Sequence, residues 1–187
     1  NGLLLHKQSA YATNNVCLIE YWIGTDFPHV VNIPREAINE AIRINEAPTH
    51  LQLANNSITF HYGDGRWIRT QLYSTEWPDL DRILEADYGE VATIDPSIFE
   101  GLELVKPFRD KMGRIIIDGD TLRTHEDQMD GASFQFQGDA IWPKCSYNLE
   151  MFMLLKDIGK QMDINAYPNP SLFFGDRLRG AIIGLRL

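Results

Sequence analysis

The chain has 187 residues, of which 44% are hydrophobic, and a formal net charge of −9 at neutral pH. This composition is typical of a globular protein that can bury a core, and it excludes a disordered or fibrous chain. A generic nucleic-acid binder is normally basic, so such a role requires positive charge confined to one face of the molecule.

Local motifs indicate neither a membrane anchor nor a metal or disulfide framework. No apolar run approaches the roughly 20 residues of a membrane helix, and the N-terminus lacks the order of a signal peptide, so we expect a soluble, cytoplasmic protein. Cys17 and Cys145 are far apart, and neither has a second Cys or His at ligand spacing. We therefore interpret both as small core residues and expect no cofactor.

The first segment, "NGLLLHKQSAYATN", predicts a β-hairpin. A β-rich run reaches the polar stretch "HKQS", and a second strand returns from it. A further strand and then a helix are predicted, because Ile38, Ala41, Ile42 and Asn45 recur at helical spacing. Pro34 suits the first turn of that helix.

Three short strands are predicted to close the first half. "THLQLA" turns through two asparagines into "SITFHY", and "RWIRTQLY" follows as a last strand. The next stretch, "STEWPDLDRILEADYGE", is polar and contains a proline, which favours a short extended connection between two units.

The second half repeats this order of elements about 112 residues later. Gly2 is matched by Gly113 and Ser57 by Ser171. "MGRIIIDGDTLRTH" predicts a hairpin, "SYNLEMFMLLKDIGKQ" a helix with a possible cap at Ser146, and "GAIIGLRL" a terminal strand.

The second copy also contains a leading segment, "VATIDPSIFEGLELVKPFRDKM". It predicts a strand and then a helix from about Pro96 to Arg109, since Ile98, Leu102 and Val105 recur every three or four residues. By symmetry, the matching segment of the first copy is expected before Asn1. The pattern predicts two α+β units with antiparallel sheets and with helices gathered on one face.

Five of these stretches, in this order and spacing, resemble the bacterial and phage DNA sliding clamps, the beta subunit of DNA polymerase III. They are "NGLLL", "YATNNVCL", "VVNIPREAINEAIRI", "WPDLDRIL" and "GAIIGLRL". The resemblance covers essentially the whole chain. It implies a middle domain over residues 1–84, lacking its leading strand and helix, and a C-terminal domain over residues 85–187.

The resemblance implies repeated clamp domains, with antiparallel sheets outside and paired helices on the inner face. It further implies a ring-forming homo-oligomer that encircles double-stranded DNA without sequence preference and tethers the DNA polymerase and clamp loader through short linear motifs. Such a processivity factor is no enzyme and acts in the cytoplasm of a bacterial or phage-infected cell. The alternative is a clamp-like scaffold that binds partner motifs without encircling DNA.

A clamp needs positive charge around its hole, because phosphate contacts give affinity that is independent of sequence. The predicted helices carry eight cations that we expect to face DNA: Arg35, Arg43, Lys106, Arg109, Lys111, Lys144, Lys156 and Lys160. The competing interpretation is that these are ordinary solvated helix faces.

The resemblance also implies an apolar groove that receives partner motifs. Its residues would be Thr13, Asn15, Val16, Cys17, Leu18, Glu85, Ile183, Gly184, Leu185, Arg186 and Leu187. Asn15, Val16 and Cys17 replace the family's Gly-His-Arg, while Glu85 and Gly184 each replace a proline. A different or weaker partner motif is therefore expected, and the alternative is that the final strand only completes a sheet.

Other polar clusters do not indicate catalysis. In "HED", residues 125–127, neighbouring side chains of an extended strand would point to opposite faces, so a solvated loop is expected. "GDG" and "DGD" are typical hairpin turns and lack the remaining ligands of a calcium loop.

Overall fold

A computed structural model describes residues 2–126 and 131–187 of the chain. Asn1 of the "NGLLL" motif and Asp127 of the "HED" stretch lie outside the described residues. The chain divides into two units, Asn1–Asp79 and Leu80–Leu187. Both contain antiparallel sheets and short helices, which confirms the predicted α+β class. The domain boundary after residue 84 stays a prediction.

Unit 1 begins with a long antiparallel ribbon, β1 (Gly2–Thr13) and β2 (Cys17–Pro34). The turn predicted at "HKQS" is wrong, because β1 continues through these residues with irregular pairing on both sides of Lys7, whose φ is 51°. A bulge of this kind absorbs an extra residue without reversing the strand. The reversal lies at Asn14, whose side-chain oxygen accepts hydrogen bonds from the N–H groups of Val16 and Cys17, at 3.0 and 2.7 Å.

The rest of unit 1 is a helix and a three-stranded antiparallel sheet. These elements are α1 (Arg35–Ile44), β3 (His50–Ala54), β4 (Ser57–His61) and β5 (Trp67–Gln71). Pro34 immediately precedes α1 with ψ 143°, so it flanks the helix instead of lying in its first turn. The core is made by Leu5, Val31, Ile33, Ala37, Ile58, Phe60 and Tyr62.

Unit 2 opens with a short helix where the sequence predicted an extended connection. Its elements are α2 (Leu80–Leu84), β6 (Val91–Thr93), α3 (Ser97–Val105), β7 (Arg114–Gly119), β8 (Thr121–Arg123), β9 (Ser133–Gln135), β10 (Trp142–Asn148), α4 (Leu149–Met153), β11 (Gln161–Asp163), β12 (Ser171–Gly175) and β13 (Leu178–Ile182). Antiparallel pairing gives the strand orders β10-β7-β8-β9 and β13-β12-β11-β6.

Buried apolar side chains of helix α3 pack against α4 and against the sheet that contains β8 and β9. Ile98 and Leu102 are fully buried, and the rings of Phe99 and Phe152 have centroids 6.1 Å apart. Gly101 faces Phe134, so close that a Cβ on Gly101 would lie 2.3 Å from the ring. The absent side chain therefore sets the distance between α3 and β9.

Two predicted helix boundaries in unit 2 are wrong. Helix α3 ends at Val105 and continues only as a 3₁₀ turn over Lys106–Phe108, because Pro107 supplies no backbone donor. Ser146 lies inside β10, and the residue that caps α4 is Asn148, whose side chain accepts from Met151 N–H at 3.1 Å.

The terminal strand is also shorter than predicted, since β13 ends at Ile182. No described helix is long and apolar enough to cross a membrane.

Candidate functional site

The last five residues run beyond β13 as a segment that we call the C-terminal strip, Ile183–Leu187. Three hydrogen bonds hold it. The Leu185 N–H donates to the Ser146 carbonyl at 2.8 Å, and the Tyr167 hydroxyl donates to the Leu185 carbonyl at 2.7 Å. The Leu187 N–H donates to the same hydroxyl at 3.1 Å. The strip is therefore positioned by the rest of unit 2 although it lies outside a regular strand.

The strip presents apolar side chains to solvent. Ile183 and Leu187 are each 44% exposed, and Leu185 is half-buried. Gly184 lies under the ring of Tyr167, where a Cβ would come within 2.6 Å of the ring carbon Cδ2. Because Gly184 has no side chain, the Tyr167 hydroxyl can reach the Leu185 carbonyl and the Leu187 N–H.

Glu85 lies in the same unit, at the end of α2. Leu80 and Leu84 are the buried side chains of α2. The guanidinium of Arg179 on β13 donates to the Leu84 carbonyl at 3.5 Å. The Glu85 side chain is exposed and forms no ion pair with another described residue.

The remaining groove residues form the reversal between β1 and β2 in unit 1. The Thr13 hydroxyl donates to the Cys17 carbonyl at 3.0 Å and accepts from the Asn15 N–H at 3.1 Å. Asn15 is exposed with φ 69°, and Val16 is half-buried. Cys17 and Leu18 are buried, so they belong to the core and contribute little surface.

The eight predicted cations do not share the helical setting that the sequence suggested. Arg35 and Arg43 lie on α1. Lys106 is in the 3₁₀ turn, whereas Lys144 is on β10. The turns after α3 and α4 carry the other four, which are Arg109, Lys111, Lys156 and Lys160. The prediction that all eight are helical is wrong because α3 and α4 are shorter than their apolar periodicity indicated.

Carboxylates neutralise most of these cations. Arg35 and Lys111 form no ion pair with any described residue. The pairs of the other six are Arg43–Glu40 (2.8 Å), Lys106–Glu150 (3.5 Å), Arg109–Glu150 (3.2 Å), Lys144–Glu126 (3.5 Å), Lys156–Glu103 (3.7 Å) and Lys160–Asp176. All are exposed pairs, which are worth at most about 1 kcal/mol each, so a phosphate can compete for the cation.

Tyr167 was missed from the sequence, and so were the partners of Glu150. Tyr167 lies in the stretch "NAYPNP", which reads only as a turn, and nothing local signals that its hydroxyl holds the C-terminal strip. Glu150 accepts both Lys106 and Arg109, and that pairing depends on the packing of α3 beside α4. A sequence pattern carries no direct sign of either contact.

The described residues contain no cluster of three or more side chains able to hold a metal ion. Cys17 and Cys145 are free and buried.

Comparison with known proteins gives a fold. No family model matches the chain, and no curated protein does. A DNA polymerase sliding clamp from Caulobacter crescentus matches all of this chain with a TM-score of 0.83 and 19% identity, and 58% of that structure is covered. DNA polymerase III subunit beta from Pseudomonas aeruginosa gives 0.78 and 16%, with 58% covered.

A second Pseudomonas aeruginosa clamp, bound to griselimycin, gives a TM-score of 0.78 at 18% identity. The chain covers 57% of its length. This chain thus spans somewhat more than half of the clamps it matches, at identities that establish the fold alone. The resemblance that the sequence motifs indicated is confirmed at that level: from end to end, this chain has the fold of the bacterial DNA polymerase III beta sliding clamps.

Proposed function

We propose that this chain belongs to a DNA sliding clamp, a polymerase processivity factor that encircles duplex DNA as a ring-forming homo-oligomer. The observation that carries the proposal is the match of the whole chain to the clamp fold, with a TM-score of 0.83. The role is not enzymatic and requires no cofactor. A bacterial or phage replication system is its proposed setting.

Contact with DNA is proposed for the eight cations. Phosphate contacts do not fix register, so they suit a protein that must slide along the duplex. Six of the eight are already paired with carboxylates, so a phosphate contact at any of these six exchanges one ionic partner for another. Weak, salt-sensitive DNA contact is the expected result, with retention coming from the closed ring.

Docking of short linear motifs from the polymerase and the clamp loader is proposed for the C-terminal strip. Exposed Ile183 and Leu187 supply apolar contact, while the strip's backbone is fixed by Tyr167. Thr13, Asn15, Val16 and Glu85 remain predicted contributors. Apolar surface with a few fixed polar groups is what recognition of a short peptide needs. A tethered polymerase gains a high effective concentration at the primer end.

The test is retention on circular DNA. The protein is incubated with nicked circular plasmid, with and without linearisation, and passed through a gel-filtration column at several concentrations. Retention on the circle with loss after linearisation, from an oligomeric species, supports enclosure. Equal weak binding to both forms, or no binding, contradicts it.

A second candidate is a clamp-like scaffold that docks partner motifs without encircling DNA. The observation that favours it is the neutralisation of most of the candidate DNA-facing cations by carboxylates. The two functions separate in one comparison, because a scaffold binds polymerase-derived motif peptides but shows no difference between circular and linear plasmid.

A further inference from the structure

The three-stranded sheet of unit 1 carries a row of aromatic side chains on the face that points away from its core. His50 on β3 lies directly opposite His61 on β4, which in turn lies opposite Trp67 on β5. Directly opposed residues project from the same face of a sheet, and the other face carries Ile58 and Phe60 into the core. Trp67 is 62% exposed, although tryptophan is highly buried on average. We call His50, His61 and Trp67 the aromatic row.

Hydrogen bonds hold the two histidines of the row in place. The Thr49 hydroxyl donates to the His61 carbonyl at 3.1 Å, so its oxygen accepts from the His50 Nδ1–H at 3.2 Å. The His61 Nε2–H donates to the Gln52 side-chain oxygen, also at 3.2 Å. The two imidazole rings are stacked, with centroids 4.2 Å apart and an angle of 7° between their planes. The histidine part of the row is therefore ordered before any ligand arrives.

Hydrogen-bond donors lie beside the aromatic row on the same face. Gln52 and Arg69 occupy the next outward positions of β3 and β5, with Thr59 between them on β4. Gln52 uses its side-chain oxygen for His61, which leaves its amide hydrogens without a partner among the described residues. Arg69 donates to the Ser57 hydroxyl at 3.1 Å and forms no ion pair with a described residue. The face thus combines exposed rings with donors that have hydrogens to spare.

The charge of this face does not favour a polyanion. Arg69 is the only Lys, Arg, Asp or Glu residue in the sequences of β3, β4 and β5. In the turn between β4 and β5, Arg66 is paired with Asp64 and with Glu46. Single-stranded nucleic acids bind in positively charged grooves, whereas the whole chain has a formal net charge of −9. A neutral ligand is the better match.

The spacing of the row matches a polyproline II helix. Adjacent strands lie about 4.8 Å apart, so the backbone positions of His50 and Trp67 are two spacings, or about 9.6 Å, apart. A polyproline II helix has three residues per turn and rises about 3.1 Å per residue, so prolines three positions apart lie about 9.3 Å apart on one edge. This helix has no internal hydrogen bonds, and its carbonyl oxygens can therefore accept from Gln52 and Arg69.

We propose that the aromatic row binds a proline-rich segment of a partner protein in the polyproline II conformation. Two prolines three positions apart pack on His50 and Trp67, and carbonyl groups of the segment accept hydrogen bonds from Gln52 and Arg69. Surfaces lined with aromatic side chains are a recurring means of recognising such segments. The contact uses no residue of the C-terminal strip and none of the eight candidate DNA-facing cations, so it goes beyond the proposed function.

The test is the fluorescence anisotropy of labelled decaproline at increasing concentrations of the protein. Saturable binding is expected. Trp67→Ala should weaken it at least about tenfold, because tryptophan anchors dominate the binding energy of such contacts. The matched control is Trp22→Ala, which removes another exposed tryptophan of unit 1 and should leave binding unchanged. Circular dichroism of each variant verifies that the fold is retained.

Two further comparisons test the geometry. The peptide Pro-Ala-Ala-Pro-Ala-Ala-Pro should displace labelled decaproline more effectively than Pro-Pro-Pro-Ala-Ala-Ala-Ala, which has the same composition but no prolines three positions apart. Gln52→Glu keeps an oxygen for His61 and removes the amide donor. This change should weaken decaproline binding about 2–10-fold, as expected for the loss of one hydrogen bond.

Four results would overturn the proposal. The first is the absence of saturable decaproline binding, and the second is an equal loss of binding in the Trp67→Ala and Trp22→Ala variants. The third is equal displacement by the two alanine-containing peptides. The fourth is Trp67-dependent binding of labelled oligothymidylate that is tighter than that of decaproline, because the row would then stack nucleobases. None of these results depends on the plasmid assay, so the proposed function and this inference fail separately.

Discussion

At the scale of single residues, burial controls the chemistry of the two cysteines. Desolvation raises the pKa of Cys17 to about 11. Burial, with a smaller effect from the Asp118 carboxylate, raises the pKa of Cys145 to about 12. The thiolate is the reactive form of cysteine, so both side chains are inert at neutral pH.

We predict that iodoacetamide at pH 8 modifies neither thiol in the native protein and modifies both in urea.

The free energy of unfolding should also depend on pH because of the two thiols. The folded-state pKa values lie above the ordinary 9.0, so the stabilising effect of the protonated thiols is complete below pH 9 and is lost as pH rises toward 11 to 12. Urea midpoints between pH 8 and pH 10.5 should fall less steeply in a Cys17→Ala, Cys145→Ala variant, and an unchanged slope would contradict the assignment.

Tyr167 is predicted to control the order of the C-terminal strip. Tyr167→Phe removes the hydrogen bond to the Leu185 carbonyl and the one from the Leu187 N–H. The expected loss is about 1–2 kcal/mol of unfolding free energy, with faster hydrogen exchange at the Leu187 amide. Tyr73→Phe is the control, since its hydroxyl makes an exposed bond to Glu36. Equal effects of the two changes would show that Tyr167 acts only through packing.

At the scale of elements, the spacing between α3 and its sheet depends on a glycine. Replacing a helical glycine by alanine normally stabilises a protein by up to about 1 kcal/mol. Here the added Cβ would lie 2.3 Å from Phe134, so Gly101→Ala is predicted to destabilise unit 2 by about 1–3 kcal/mol instead. Urea unfolding measures whether Gly101→Ala lowers or raises the free energy of unfolding. Leu104→Ala, on the exposed side of α3, should be nearly neutral, and a stabilised Gly101→Ala variant would refute the packing argument.

Turns that contain typical turn residues, such as Asn and Asp-Gly, were predictable from the sequence. The asparagine pair at residues 55–56 joins β3 to β4, and the Asp-Gly-Asp stretch joins β7 to β8, as expected. The bulge at Lys7 was not predictable, because only the pairing of β1 with β2 reveals that the strand continues there. The same holds for α4, whose apolar periodicity continues after Met153 although the helix ends and tight turns follow.

At the scale of the whole molecule, ion pairs limit the positive charge that is left for the proposed contact with DNA. Glu150 holds both Lys106 and Arg109. We predict that Glu150→Gln strengthens binding to duplex DNA at low salt and steepens its salt dependence, by up to about 0.9 in log–log slope for each additional phosphate contact. Anisotropy with a labelled duplex at several salt concentrations measures both.

The control for this prediction is Glu76→Gln, which changes the net charge equally at an exposed glutamate that forms no ion pair with a described residue. Equal gains in both variants would mean that net charge alone matters. This part of the candidate site could not be predicted from the sequence. The fold could, since five stretches in order indicated it and solved clamps at 15–19% identity share it, whereas ion pairing arises only when α3 and α4 meet.

The β1–β2 ribbon has a consequence for the order of folding. Its strands are joined by only three residues, so most of its pairing is between neighbours in sequence and has a small loop-closure cost. A hairpin forms in about 1–10 μs. In contrast, β6 pairs with β11, which lies on the far side of two helices and four strands in the chain, and such distant pairing is slow. We therefore expect unit 1 to acquire its longest strands while the sheet of unit 2 is still open.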